Sequence, residues 1–370
     1  MHLILFFTFD YSLLTWSESG YLTREMKLYN YLISKGVKVS FVTFGDEKDL
    51  DILHDSKINI VPIYSIVDKS KFKVINIIKS FFIPWKLINR LDTKSKKIIV
   101  KQNQLLGSWV SIIFNSLIKS KLYTRTGYDM YQFSIKDMKS LHKRFMYYML
   151  TQLTILFSDK YSVTSNSDLN FLKKRFFGTK NILIRPNWVE EGMINPKKQI
   201  TSTLLSVGRL EKQKNFQDLL LSIKDTGFKL DIYGEGSLKE ELINLSNQLG
   251  VDLKIFNNIE NKELLNVYKK YKYFISSSSF EGNSKVILEA MANGCITIVK
   301  DIENNREIIE NQKSGILYTD DLKQVLLDLK DGAYENINFS LNAKNRIENN
   351  YSKDKVFANY FSDFVNLYNS

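Results

Sequence analysis

Ser276 to Gly294 reads SSSSFEGNSKVILEAMANG, and the way its three parts join decides the fold. Tyr273–Ile275, just before it, is an apolar run of the kind that forms a buried strand. Serines and a Gly-Asn-Ser turn follow, where side chains hydrogen-bond backbone and the chain bends sharply. From Ser284 the pattern turns helical, with Val286, Ile287, Ala290 and Met291 on one face and Asn283 or Ser284 as N-cap. The unit is strand, polar turn and helix N-terminus.

Glu281 stands just before this helix and Glu289 lies inside it. Helical side chains lean toward the N-terminus, so Glu289 can point back toward the space that Glu281 faces. First-turn amides and the positive end of the helix dipole suit a phosphate in that space. Two carboxylates for hydroxyls beside an anion cradle describe a site for a sugar phosphate or nucleotide sugar. The same residues equally fit a solvated helix on which Glu289 pairs with Lys285, a contact worth ~0–1 kcal/mol.

Strands are expected around this segment at Leu204–Val207, Phe228–Tyr233, Leu253–Phe256, Tyr273–Ser276, Ile296–Val299 and Ile316–Tyr318. Helices fit between them at Phe216–Lys224, Leu238–Leu249 and Lys262–Tyr271. The first half alternates in the same way, with strands at His2–Phe9, Val37–Phe44, Ile58–Ile63, Lys97–Val100, Leu122–Arg125, Lys160–Thr164 and Asn181–Ile184. Its first helix is expected over Gly20–Ser34, after a polar loop from Asp10 to Gly20. Such alternation gives parallel sheets covered on both faces, with ligands at the strands' carboxyl ends. Pro186, Asn187, Gly192, Asn195 and Pro196 mark a linker. The expected division is a first domain over 1–186, completed by a C-terminal helix at 352–370, a linker at 187–202 and a second domain over 203–351. The fold class is α/β: two doubly wound, Rossmann-like domains facing a central cleft.

The 370 residues, 44% hydrophobic and 13% aromatic, are enough for two cores. No apolar run reaches the ~20 residues of a membrane span, and the first strand lacks the basic start of a secretory signal. One cysteine, Cys295, excludes an internal disulfide and fits a reducing compartment. His2, His54 and His142 show no metal-binding spacing. The net charge of +12 suits an anionic partner, whether a diphosphate substrate or a membrane face; no nucleic-acid motif accompanies it.

At the end of the second domain's first strand, Gly208-Arg209 and Lys214 bring a guanidinium and an ammonium together. Such a pair can grip phosphate oxygens and stabilise a leaving diphosphate without a metal, though a solvated basic loop has the same composition. Gly234-Glu235-Gly236 ends the next strand, either to close a tight turn or to leave room for a nucleotide.

Gly208-Arg209 with Lys214, Gly234-Glu235-Gly236, Glu281-Gly282, and Glu289-Ala290-Met291-Ala292 with Gly294 occur in one order. Together they resemble the retaining glycosyltransferases of family four (glycosyl transferases group 1), bacterial surface-glycan type, which have the GT-B architecture. The resemblance covers nearly the whole second domain, and Arg185-Pro186-Asn187 matches the family's entry to its linker. The first domain is similar only in pattern, at Glu18-Ser19-Gly20, Asn103-Gln104 and Gly107-Ser108-Trp109.

The resemblance implies a role for each residue. Arg209 and Lys214 contact the donor diphosphate, Glu289 holds the ribose and Glu281 binds the transferred sugar. Gly282 and the backbone amides of Asn283, Ser284, Lys285 and Val286 surround sugar and phosphate, while Asn258 and Ile259, in the loop Asn257–Ile259, seat the base largely through backbone. Gly20, Gly208 and Gly234 give the donor room. The family uses no metal or other cofactor, takes UDP- or GDP-linked sugars and retains anomeric configuration. Four positions depart from the family pattern: Asn283-Ser284 for Phe-Gly, Asn257 for glycine, and Asn215 for the glycine after lysine. The first-domain histidine is also missing from Thr124–Asp129, which leaves Asn103, Arg125, Tyr128 and Asp129 as the expected acceptor side.

Lys69–Asp92 and Lys136–Leu150 mix lysines with aromatics, as interfacial helices do; a covering helix kinked at Pro84 has the same pattern. The expected protein is a cytoplasmic hexosyltransferase touching the inner leaflet, with a glycan or lipid-linked acceptor. A nucleotide-sugar epimerase of the same architecture, or a non-catalytic nucleotide-sugar-binding module, also fits these residues.

Overall fold

A computed structural model describes residues 1–54, 56–93, 97–192 and 200–369. The chain forms two compact units, Met1–Arg185 with Phe357–Ser370, and Pro186–Val356. Pro196 and Asn195 lie outside the described residues. Asn187, Trp188 and Val189, from the same proline-flanked stretch, are buried within the second unit.

The first unit contains a seven-stranded sheet of β1 (His2–Phe6), β2 (Lys38–Thr43), β3 (Ile58–Pro62), β4 (Ile98–Asn103), β5 (Lys121–Arg125), β6 (Lys160–Val163) and β7 (Ile182–Ile184). The order is β3-β2-β1-β4-β5-β6-β7, with parallel pairing throughout. The second unit contains β8 (Ile200–Val207), β9 (Lys229–Tyr233), β10 (Leu253–Phe256), β11 (Tyr271–Ser276), β12 (Ile296–Lys300) and β13 (Ile316–Tyr318). These run in the order β10-β9-β8-β11-β12-β13, again all parallel.

Alternate side chains of each strand enter opposite layers, which is why these strands read as unbroken apolar runs. Leu204, Ile275 and Ile298 join one core of the second unit, while their neighbours Leu205, Phe274 and Val299 join the core on the other face. In the first unit Ile4, Phe6, Val42, Val100 and Leu122 build the core with Phe114. The C-terminal helix Lys353–Asn369 packs Tyr360 and Phe364 on Tyr123 of β5. Asp363 of that helix accepts from Arg185 Nη2 at 2.5 Å, Arg185 Nε at 2.7 Å and Tyr123 OH at 3.1 Å.

Three local expectations change. The polar loop after β1 contains a helix, Leu13–Glu18, because Ser12 Oγ accepts from Thr15 N at 3.0 Å and Leu13 and Trp16 are buried. Gly20 therefore ends that helix, at φ 70°, instead of opening the next one, Leu22–Ser34. Pro84 starts a helix (Ile83–Ile88) instead of kinking one, since proline needs no intrahelical acceptor in a first turn; Lys73–Ser80 is a separate helix before it. The second basic stretch is also divided, between Met130–Lys136 and Leu141–Phe157.

Candidate functional site

The order of the second sheet turns about β8 and β11, which are neighbours although β9 and β10 intervene in sequence. Open parallel sheets take ligands outside the carboxyl ends of the strands at such a point. The loops leaving those two ends carry Gly208-Arg209 with Lys214, and Ser277 with Glu281. Sheet order alone thus brings the two halves of the candidate site together.

Lys214 Nζ donates to Glu281 Oε1 at 2.5 Å, with the two side chains only 14% and 12% exposed. The loops that carry them are laced to each other. Ser277 Oγ donates to Lys214 O at 2.8 Å, Ser279 N to Gln213 O at 2.9 Å and Gln213 Nε2 to Phe280 O at 2.8 Å. Ser276, Ser277 and Ser278 are buried, so this serine run is internal wiring and not solvated loop.

Lys214 ends a 3-10 turn, Lys212–Lys214, and Asn215 beyond it adopts a left-handed conformation at φ 53°. Glycine takes that conformation freely and asparagine is its usual substitute, which accounts for Asn215 where glycine is common. A Cβ on Gly234 would lie 1.9 Å from Gly208 O, and one on Gly236 would lie 2.5 Å from Leu210 O. The protein's own backbone fills that space, so these glycines let the exits of β8 and β9 touch. The Arg209 side chain is exposed and makes no hydrogen bond or ion pair with another described residue; only its backbone carbonyl is engaged, accepting from Glu211 N at 2.8 Å.

Glu289 is 4% exposed and lies in helix Lys285–Ala292. Its Oε1 accepts from Asn261 Nδ2 at 3.1 Å and its Oε2 from Tyr268 OH at 3.5 Å. Asn261 and Tyr268, both absent from the sequence expectations, open and close helix Asn261–Tyr268. That helix follows β10 and the loop holding Asn258 and Ile259. Asn258 N donates to Glu235 Oε1 at 3.3 Å, which ties this loop to the Gly234 turn. The carboxyl ends of β10, β9, β8 and β11 therefore form one continuous rim bearing Asn258, Gly234, Arg209, Lys214 and Glu281.

Asn283 has a structural contact that the sequence did not announce: its Oδ1 accepts from Asn187 N at 2.9 Å and its O from Asn187 Nδ2 at 2.5 Å. It braces the entry to the second unit, because the buried Asn187 amides need acceptors. The helix N-cap is Ser284, whose side chain makes no cap hydrogen bond; Gly282, Lys285 and Val286 are half-buried beside it. A cavity of about 270 Å³ lies next to the Lys214 turn, lined by Asn215, Ser277, Lys300 and Tyr318 among others. Arg209, Glu281 and Glu289 do not line it, and they belong to the rim instead.

In the first unit three of the four expected acceptor residues have partners within the protein. Arg125 Nε donates to Tyr360 OH. Asn103 Oδ1 accepts from Lys101 Nζ at 2.5 Å. Asp129 is buried as the N-cap of helix Met130–Lys136, its Oδ1 accepting from Gln132 N at 2.6 Å. Tyr128 is exposed and packs on Phe133. Gly20 is exposed, with nothing within 4 Å of where its Cβ would be.

Burial, reinforced by the charge of Arg125, lowers the Lys101 ammonium from 10.5 to about 7. Burial raises the Asp129 carboxyl to about 7. The depressed lysine contributes stability that is whole above its ordinary pKa and lost as pH falls through 7. The raised carboxyl contributes stability that is whole at low pH and lost as pH rises through 7. Between pH 7 and 9 the lysine dominates. The unfolding free energy of the first unit, from urea titrations followed by the fluorescence of Trp16, Trp85 and Trp109 in a Trp188→Phe background, is expected to rise by up to about 1.4 kcal/mol per pH unit. Lys101→Met is expected to flatten that slope.

Comparison with known proteins adds three observations. Residues 190–350 match the family described as Glycosyl transferases group 1. Among curated proteins, the chain is 38% identical over 125 residues to the N-acetylgalactosamine-N,N'-diacetylbacillosaminyl-diphospho-undecaprenol 4-alpha-N-acetylgalactosaminyltransferase of Campylobacter jejuni, covering 31% of this chain and 32% of that protein. It is 24% identical over 246 residues to the capsular polysaccharide biosynthesis glycosyltransferase CapH of Staphylococcus aureus, covering 62% of this chain and 67% of that one. The chain thus spans 32% of the length of the first of these relatives. In fold it is similar to S. aureus TarM, solved with UDP and alpha-GlcNAc-glycerol, at a TM-score of 0.75 and 14% identity over the whole of both chains. The two parallel-sheet α/β units are those of the GT-B fold.

Proposed function

We propose that this protein is a retaining, metal-independent glycosyltransferase of bacterial glycan biosynthesis. It moves a hexose-type sugar from a UDP- or GDP-linked donor to a glycan or lipid-linked acceptor at the inner face of the membrane. The observation that carries the proposal is the Lys214–Glu281 pair, 2.5 Å apart at the sheet's switch point, with Arg209 unengaged on the same strand exit. The match of residues 190–350 to Glycosyl transferases group 1 and the glycan-building activities named for the relatives support it.

In this mechanism Arg209 and Lys214 hold the donor diphosphate and neutralise it as it leaves, the work a metal does elsewhere. Diphosphate draws the ammonium of Lys214, and Glu281 turns to accept from the sugar's hydroxyls. Glu289, held by Asn261 and Tyr268, accepts from the ribose. The bond from the anomeric carbon to the diphosphate oxygen breaks, and a bond from that carbon to the acceptor oxygen forms on the same face. The acceptor's proton passes to the departing phosphate oxygen. Positioning and fixed charge supply most of the acceleration.

A thermal-shift series against common nucleotide sugars tests the donor site. A donor at about a hundred times its Kd is expected to add about 2.7 kcal/mol of stability, in EDTA as in its absence. Arg209→Ala is expected to weaken that donor about 10–100-fold, the value of a charge-assisted contact. If no nucleotide sugar shifts the transition, the donor site is refuted. A new nucleotide sugar formed from donor alone points to an epimerase.

A further inference from the structure

Two pairs of facts about the first unit are unaccounted for by glycosyl transfer. Helix Lys73–Ser80 buries only its polar Asn76 and Ser80, and helix Ile83–Ile88 buries Ile83, Pro84 and Leu87, yet a second set of large apolar side chains on and beside these helices stays outside. Phe72 is 70% exposed, Val74 67%, Phe82 65%, Ile78 56% and Trp85 52%. Soluble surfaces rarely gather such a patch without a partner. The segment from Lys69 to Leu91 also contains Lys69, Lys71, Lys73, Lys79, Lys86 and Arg90, and no carboxylate.

A neighbouring element repeats the pattern. Helix Leu141–Phe157 exposes Leu141, Phe145, Leu156 and Phe157 and carries Lys143 and Arg144, again without an acid. Helix Ser108–Ile118 connects the two. Its Trp109 stacks on Phe81 at 5.9 Å and donates to Ser80 Oγ at 2.7 Å, while its Ser108 accepts from Thr154 Oγ1 at 2.9 Å. The basic, apolar-tipped helices thus belong to adjoining parts of one helical layer.

We infer that the helix pair Lys73–Ser80 and Ile83–Ile88, extended by Leu141–Phe157, docks on an anionic lipid bilayer. Aromatic and aliphatic tips enter the headgroup boundary and the lysines meet anionic lipid, each cation within reach adding several-fold to the affinity. Asp10 meets Lys73 at 3.0 Å at the edge of the patch, but neither stretch itself carries a carboxylate, so the surface complements an anionic layer. Among the described residues no helix is long and apolar enough to cross a membrane, so the contact is superficial. The inference does not depend on the transferase reading, since lipid binding is measured without substrate.

The test is flotation of the full chain with vesicles of phosphatidylcholine plus phosphatidylglycerol, against vesicles of phosphatidylcholine alone, at low and high salt. Binding is expected on the anionic vesicles only, falling at least about tenfold at high salt. The triple variant Phe72→Ser/Phe82→Ser/Trp85→Ser and the double variant Lys71→Glu/Lys86→Glu are each expected to lose at least about tenfold in vesicle affinity. Their far-UV circular dichroism, thermal midpoint and response to nucleotide sugars should be those of the parent, because every altered side chain is exposed. Equal binding to neutral and anionic vesicles, or none at low salt, overturns the inference. So does a change of oligomeric state in the variants with vesicle binding intact, which would make the patch a protein interface.

Discussion

Replacing Lys214 by alanine is expected to lower kcat by about 10²–10³-fold, the usual cost of removing one preorganised group from a site of developing charge. Two consequences add here. The diphosphate loses its ammonium, and Glu281, 12% exposed and 2.5 Å from that ammonium, is left beside the donor as an uncompensated carboxylate. Affinity for the nucleotide should fall less than turnover, because Arg209 remains. Glu281→Gln is the companion measurement: it keeps the shape, releases Lys214, and should depress turnover while leaving affinity for the free nucleotide nearly unchanged. Initial rates with radiolabelled donor, beside nucleotide binding by calorimetry, separate the two. Normal turnover in both variants would remove this pair from the reaction.

Asp363→Ala is expected to cost the first unit about 3–5 kcal/mol, read as a fall in the urea midpoint. The carboxylate is 7% exposed and accepts from Arg185 and from Tyr123 OH. Removing it leaves a guanidinium that is 21% exposed with its principal partner gone. Breaking one side of a mostly buried pair is costlier than replacing both sides, so Arg185→Met/Asp363→Leu should recover most of the loss. If the double variant is as unstable as the single, the ion pair is not the source of the stability.

All thirteen strands of the described residues lie where the apolar runs put them, because a strand buried on both faces has no polar interruption to blur its position. The rim of the second unit was legible for a related reason: sheet order alone joins the exits of β8 and β11. Local chemistry without an apolar signature was harder to see. The helix Leu13–Glu18 rests on one serine cap and two buried side chains inside a polar stretch. Arg125 looked available at the end of β5, but Tyr360, which engages it, comes from the other end of the chain. The side chain of Asn283 likewise holds Asn187, a contact that no sequence spacing announces. Residues that answer a distant part of the chain cannot be assigned from their neighbours.

Helix Lys353–Asn369 carries Tyr360, Asp363 and Phe364 onto β5 and Arg185, yet it is synthesised only after the whole of the second sheet. A growing chain that has released its first 185 residues therefore still lacks a wall of that unit's core. The middle of the polypeptide, Pro186–Val356, holds all its own parts and can close while the beginning waits. Birth order and folding order are thus reversed, and a chain stopped before Lys353 would spoil its own first unit, not the unit nearest the break.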